Sequence, residues 1–336
     1  MGAGPGTGAL ISALERCRAE PVQAPATGPF SHVLSAYRTE AEFLALAGRF
    51  VADGRRAGET VAVAATPGRL AALTAGLGAA EAAMVITIDL QTVSNPGSLL
   101  PTQILPLLAA ETRGSGASPP RLRILHDASW TGQRAEACGR FEALANLALG
   151  ALPMSLVCLY AEGSDDTTQE HAVRTHPVVL DSGRHCANLD YDAAWISTAR
   201  ARPLSPPPAA DLVLRMDFDQ ATQHLTRALT LKAAADWGLP VERALDAELI
   251  VNELTANSLE HGGGHGLLQL WRDDRDRMMV CQVSDHGHLT DHLAGQLSVG
   301  LSTDGGRGLF LIHTLADVVL IHTAPGDTVI RACLAL

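Results

Sequence analysis

Glu253-Leu-Thr-Ala-Asn257-Ser-Leu-Glu-His261-Gly-Gly-Gly264 is the stretch on which the reading of this 336-residue chain turns. It closes a run from Glu242 in which Leu245, Leu249, Val251, Leu254 and Leu259 recur at helical intervals, so the spacing predicts one helix over 242–261. Three glycines then stop it, the usual signal past a helix C-terminus. Glu253 and Asn257 are four apart and project from one face, a turn from each other. A carboxamide oxygen is a hard ligand suited to Mg²⁺, and a carboxylate beside it can orient or deprotonate an attacking hydroxyl. The pair alone decides nothing, because Glu-x-x-x-Asn on a helix is commonly a solvated pair. Glu142 and Asn146 repeat the spacing earlier in the chain, and there the expectation is helix-surface polar residues packing inside an α/β domain.

What distinguishes the second copy is its sequel. Val280-Cys-Gln-Val-Ser-Asp285-His-Gly287 reads as an apolar strand ending in Asp-x-Gly, and Thr303-Asp-Gly-Gly306-Arg307-Gly308 as a glycine-rich loop running into an apolar helix. In that order the residues resemble the N, G1 and G2 boxes of the GHKL (Bergerat-fold) ATPases, the closest likeness being to the anti-sigma-factor serine kinases. The resemblance covers 211–336 and implies a Bergerat-fold α/β sandwich that binds ATP with Mg²⁺. It assigns Asn257 to the metal and Glu253 to positioning a serine hydroxyl for in-line attack on the γ-phosphate. Asp285 would accept from the adenine amino group, with Gly287 letting the backbone pass close to the base. Gly306 and Gly308 would bring N–H groups to the phosphates at a helix N-terminus. Arg307 either reaches a phosphate or faces solvent, and His261 is read as packing or capping. The segment 288–304 would form a mobile lid.

The same resemblance implies a sigma factor and an STAS-domain anti-anti-sigma protein as partners, and a homodimer that an extra domain would be able to block. Two other classes stay open: an ATP-binding module that sequesters a partner without catalysis, and an orphan sensor histidine-kinase-like ATPase. Against the second stands the lack of a His-Glu phosphoacceptor motif on an upstream helical hairpin.

Composition narrows the field. Hydrophobic residues make up 47% and charged residues 18%, enough for the cores of two domains. A net charge of −11 argues against non-specific binding to nucleic acid or to acidic membrane surfaces. Lys232 is the sole lysine, and no glycine precedes it, so a Walker-A loop is excluded. The six cysteines stand singly, a pattern that fits reduced thiols better than a disulfide framework or a zinc site. The thirteen histidines, tightest at His261/His265 and His286/His288, read as surface or capping residues. There is no apolar run of about 18 residues and no charged n-region ahead of an h-region, so a cytoplasmic location is expected.

Along the chain, residues 1–28 read as a flexible Gly/Pro/Ala-rich tail in which Ala9 to Arg18 has the composition for a helical turn or two. From Phe30 strands alternate with helices: strands at 31–37, 58–65, 84–88, 122–125 and 155–160, with helices at 40–57, 67–77, 99–112 and 133–149 between them. That alternation predicts a three-layer, mostly parallel α/β domain over 29–198. Its His32, Phe43-Leu with Phe50-Val, Gly58-Glu, Trp130 with Gly132, Phe141-Glu-Ala-Leu-Ala-Asn146, Cys158-Leu-Tyr160 and His176-Pro177 resemble the MEDS sensory domain of methanogen and methylotroph regulators. The resemblance implies a ligand- or partner-binding role. It departs at His126-Asp127, where that family is expected to carry Gly-Glu. Asp181-Ser-Gly183 mimics Asp-x-Gly, but no glycine loop and helix come after it. The proline-rich stretch 199–210 is expected to be a stiff spacer.

Overall fold

The computed structural model describes residues 8–19, 29–93, 95–114, 121–207, 209, 213–296 and 307–336. The chain is mixed α/β, and its described residues fall into two compact units. One draws on 1–93, 102–131 and 138–195, the other on 94–101, 132–137 and 196–336.

The first unit runs α1 (Ala9–Ala19), β1 (Phe30–Tyr37), α2 (Glu40–Arg56), β2 (Thr60–Ala65), α3 (Pro67–Gly76), the single turn α4 (Ala79–Ala82) and β3 (Ile86–Asp89). It continues with α5 (Leu105–Gly114), β4 (Leu122–Asp127), α6 (Gly132–Leu149), β5 (Met154–Ala161), α7 (Asp166–Thr175), β6 (Val178–Asp181) and β7 (Arg184–Ala187). The strands form one sheet in the order β3-β2-β4-β5-β1-β6-β7. All neighbours pair in parallel except β7, which returns antiparallel on β6. On one sheet face Val33, Val63, Leu125, Val157 and Leu159 pack with Phe43, Ala47 and Val51 of α2 and Leu70 of α3. Thr39 fixes the start of α2 by accepting from Glu42 N at 3.2 Å. The helix expected over 99–112 begins instead as a π-helical turn, Leu100–Ile104. Pro106 has no N–H to give to the carbonyl four residues back, which disfavours a regular α-turn there.

Several expectations need correction here. Within the expected tail 1–28, Ala9–Ala19 is a helix whose Leu10, Ala13, Leu14 and Cys17 are buried at i, i+3, i+4 and i+7. Arg18 adds a two-pronged pair to Asp181 at 2.7 and 2.9 Å. Cys17 is joined to Cys186 of β7, so the cysteines are not all free thiols. A separation of 169 residues leaves no local spacing from which that pairing could be read. Asp181-Ser-Gly183 is the tip of the β6–β7 hairpin, with Ser182 and Gly183 at φ 50° and 79°, the conformation a two-residue turn demands.

In the second unit α8 (Trp195–Ala201) leads to β8 (Leu214–Asp219), α9 (Gln223–Asp236), α10 (Val241–His261), β9 (His265–Asp273) and β10 (Met278–Asp285). Then come α11 (Arg307–Leu315), β11 (Val318–Ala324) and β12 (Asp327–Ala335). The sheet is antiparallel throughout, in the order β11-β12-β10-β9-β8. Leu268, Leu270, Met279, Cys281 and Val283 point to one face and bury Ile250, Val251 and Leu254 of α10 and Ile312 of α11. The opposite face carries Trp271, Met278, Val280, Val318, Leu320 and Cys333. Leu204, within the stretch expected to be a spacer, packs on this second face, and Arg331 Nη2 donates to Ser205 O at 2.6 Å. An apolar sheet face needs a cover, and the described part of the proline-rich stretch contributes to it. No helix among the described residues is long and apolar enough to cross a membrane.

The buried stripe of α10 is offset from the one its leucines suggest. Ala247, Ile250, Val251, Leu254 and Ser258 face the sheet, while Leu245 and Leu249 are 53% and 40% exposed. Ile250→Ala is therefore expected to lower stability by about 2–5 kcal/mol, and Leu245→Ala by less than about 0.5 kcal/mol. Urea denaturation of the two variants checks this. Equal losses would put the stripe where the leucine spacing alone places it.

Candidate functional site

The sheet and α10 bring three of the sequence motifs to one place. β10 is flanked by β9 and β12 and ends at Asp285, which pairs with Thr328. Beyond it the backbone crosses the end of α10, where His286 N donates to Gly262 O at 3.2 Å and Gly287 N donates to Asp285 Oδ1 at 2.8 Å. Nothing larger than glycine fits this crossing. A Cβ on Gly287 would lie 2.8 Å from His261 O, and one on Gly262 would collide with the Asp285 side chain and stand 2.6 Å from Ser258 O. Gly262 is legible in the sequence as a helix stop. Its second role, giving Asp285 room, leaves no trace in local sequence.

A cleft of 660 Å³ opens beside this crossing, lined by Leu254, Asn257, Val283, Asp285, Leu309 and Ile330 among others. Its walls are mixed: Leu254, Val283, Leu309 and Ile330 supply apolar surface, and Asn257, Asp285 and Thr328 supply polar groups, the combination that small-molecule sites use. At its edge the first turn of α11 approaches α10. A Cβ on Gly308 would lie 2.7 Å from Glu253 Oε2 and 3.4 Å from Asn257 Nδ2. Glu253, Asn257 and Gly308 thus meet, and Asp285 and Gly287 lie on the same cleft. Arg307 opens α11 and is exposed. Gly306 lies outside the described residues, as does the part of the expected lid from 297 to 304. The lid's first part is described: Leu289 N donates to Thr323 Oγ1 at 2.8 Å, and Ala294 joins the cleft wall. His261 is exposed at the end of α10.

Two electrostatic features mark the cleft as built for a polar ligand. Asn257 Nδ2 is buried with no hydrogen-bond partner. An amide desolvated without a partner costs about 1–3 kcal/mol, and the alternative orientation of the same amide presents Oδ1, a hard donor suited to Mg²⁺. Burial also raises the Asp285 carboxyl above its ordinary range, against the lowering effect of the Gly287 N–H and Ser258. The residues present, an amide donor and a glycine-bordered approach to a helix N-terminus, fit a magnesium nucleotide.

Residues 217–334 match the family described as the histidine kinase-like ATPase domain, and residues 31–177 match MEDS, the methanogen/methylotroph DcmR sensory domain. The chain carries a MEDS domain followed by a histidine kinase-like ATPase domain. Among curated proteins none matches the chain. Two solved structures resemble it in part. The RsbU and RsbW domains of Rv1364c from Mycobacterium tuberculosis share 18% identity at a TM-score of 0.29, over 39% of this chain and 33% of that one. The SiaB-SiaC complex from Pseudomonas aeruginosa gives 12% identity at a TM-score of 0.29, over 37% of this chain and 90% of that one. The chain therefore spans about a third of the length of the first of these.

Within the MEDS domain the structure overturns two expectations. Glu142 is not a helix-surface residue but fully buried. So are His32, His126 and His176, which are expected from the sequence to be surface or capping groups like the other histidines.

The raised Asp285 pKa has a consequence for stability. The native state keeps this proton over a pH range where the unfolded chain, with an ordinary pKa of about 3.9, has lost it. The group's contribution therefore falls as pH rises from about 3.9 through the raised value, and the penalty is full above it. Asp285→Asn is expected to raise the melting temperature of the ATPase domain at pH 7 and to leave it unchanged below the ordinary Asp range. Thermal unfolding across pH reads the difference, and equal melting temperatures at pH 7 would contradict it.

Proposed function

We propose that the ATPase domain binds Mg-ATP and transfers the γ-phosphate to a serine of an STAS-domain anti-anti-sigma partner, with a sigma factor as its other partner. The MEDS domain would control this exchange. The observation that carries the reading is the meeting of Glu253, Asn257 and Gly308 beside the cleft that ends at Asp285.

In this reading adenine enters the cleft against Leu254, Val283, Leu309 and Ile330 with its amino group donating to Asp285, and Gly287 leaves room for the ring. Guanine offers an oxygen at that position and would face the carboxylate unfavourably. The phosphates lie at the N-terminus of α11, where Gly308 presents its N–H and the helix dipole favours anions, and Gly306, outside the described residues, is proposed to add a second N–H. Asn257 would hold Mg²⁺ through Oδ1, and the ion would supply charge neutralisation on the phosphates. Glu253, a turn before Asn257, orients the serine hydroxyl and takes its proton as the oxygen bonds to the γ-phosphorus, ADP leaving on the opposite side. The exposed Arg307 is free to reach a phosphate.

Calorimetry with Mg-ATP tests the first half. Binding is expected in the wild type and is expected to be lost in Asn257→Ala and Asp285→Ala. No binding by the wild type would leave a partner-binding regulator without nucleotide chemistry. Glu253→Ala is expected to keep ATP binding and to slow acid-stable phosphate transfer to the antagonist by about 10²–10⁴-fold. Unchanged transfer would remove Glu253 from the chemistry, and acid-labile phosphate would point to histidine as acceptor.

A homodimer belongs to the same proposal. Val241, Leu245 and Leu249, four residues apart along α10, form an exposed apolar row, Val241 at 73%. Leu249→Asp is expected to convert a dimer to a monomer in sedimentation without loss of helicity. A wild type that sediments as a monomer would refute the dimer.

A further inference from the structure

Five buried polar side chains of the MEDS domain, His32, His126, Glu142, Cys158 and His176, lie together where α6 covers the sheet. In a parallel sheet alternate residues share a face. His32 of β1, His126 of β4 and Cys158 of β5 share the face opposite to Val33, Leu125 and Val157. β4, β5 and β1 are adjacent, and His126 sits directly beside Cys158 in the register. α6 lays Glu142 over them, and His176 comes after α7, just ahead of β6 on the other side of β1. His32 Nε2, Cys158 Sγ and His176 Nε2 stand 2.7, 3.1 and 3.5 Å from Glu142 Oε2, and Cys158 Sγ is 3.6 Å from His32 Nε2. One donor atom from each of these four residues lies within 4.8 Å of the others, and all four side chains are buried.

The surrounding hydrogen bonds fix the protons. Asn146 Nδ2 donates to Thr175 O at 2.7 Å, which turns Asn146 Oδ1 toward His32 Nδ1 at 3.0 Å. An oxygen there can only accept, so His32 Nδ1 carries a hydrogen. His176 Nδ1 lies 2.7 Å from Ala172 O, again acceptor only, and carries one too. Its Nε2 is buried without a hydrogen-bond partner. Trp130 Nε1, which only donates, faces His126 Nε2 at 3.5 Å, leaving His126 Nδ1–H to donate to Glu142 Oε1 at 2.9 Å. His126 thus orients the carboxylate from outside, while the Nε2 lone pair of His176 points at an anionic oxygen. A proton on His32 would satisfy one nitrogen. A single cation at the centre answers both nitrogens, the carboxylate and the sulfur together.

The geometry points to a buried binding site for one zinc-type divalent cation in the MEDS domain, held by His32 Nε2, Glu142 Oε2, Cys158 Sγ and His176 Nε2. Two imidazoles, a carboxylate and a thiolate form the mixed nitrogen, oxygen and sulfur set that a borderline-soft tetrahedral ion takes. On binding, the Cys158 thiol proton leaves to solvent and the sulfur bonds the metal as thiolate. The charges of ion, thiolate and carboxylate then cancel, which a buried site requires. Asn146, Ala172 O and His126 are positioning groups, each fixing the far side of a ligand.

The test uses the full chain, stripped with chelator and titrated with Co²⁺ as a coloured substitute for zinc. The expected result is one equivalent bound, with intense tetrahedral visible bands, a near-ultraviolet thiolate-to-cobalt band, and displacement of both by Zn²⁺. Cys158→Ser is expected to lose the thiolate band, and Asn146→Ala to weaken cobalt binding by about 10–100-fold. A natively folded wild type that shows no bands, or only the weak bands of octahedral cobalt on exposed histidines, would overturn the site. So would a thiolate band that persists in Cys158→Ser. The wild-type titration decides alone if a variant does not fold.

Discussion

The close approach of two backbones, the end of α10 and the end of β10, sets the geometry of the ATPase domain. His286 N bonds Gly262 O, and the Gly287 Cα lies where a side chain would strike His261 O. Because α10 is also packed through Ile250, Val251 and Leu254 onto the sheet, its axial position is fixed at both ends. Glu253 and Asn257 take their places from it, two turns and one turn before the crossing. α11 then has one place to dock, since Ile312 and Leu309 belong to the same core, and this docking brings Gly308 to Glu253. Selection at the site begins with close packing rather than with charge.

The MEDS domain uses a different constraint, the pleat of a parallel sheet. One face is aliphatic and takes α2 and α3, as the buried strands of a doubly covered sheet require. The other face exchanges three aliphatic positions for His32, His126 and Cys158 and places a carboxylate above them. A buried carboxylate is tolerated only with partners that return its lost hydration. Here burial would raise the Glu142 pKa, and the imidazoles of His126, His176 and His32 around it hold it well below the ordinary range. Within a core rich in Val, Leu, Ile and Ala, one atom each of His32, Glu142, Cys158 and His176 converges on a single point.

The same helix period serves two ends in α10. Its sheet-facing stripe uses small and branched residues, Ala247, Ile250 and Val251, which allow the helix to lie close to the strands. Leu245 and Leu249 stand outside that contact. A leucine count along a helix therefore locates an apolar face without saying which surface covers it.

By itself the sequence determined the alternation of strands and helices in the first domain, the order of helix, Asp-x-Gly strand and glycine loop in the second, and the absence of a Walker-A loop. Those features rest on local periodicity and on glycines, and both are written over a few residues. The Cys17–Cys186 bond, the docking of the helix Ala9–Ala19 and the packing of Leu204 and Ser205 were decided only in three dimensions. Their partners lie far along the chain. The contrast is sharpest at the two Glu-x-x-x-Asn pairs. The sequence separated them by the Asp-x-Gly strand and the glycine loop downstream of Glu253, each a local signal. It had no means of showing that Glu142 gathers His32, His126, Cys158 and His176, because strand order and pleat parity, not spacing along the chain, bring those side chains to one carboxylate.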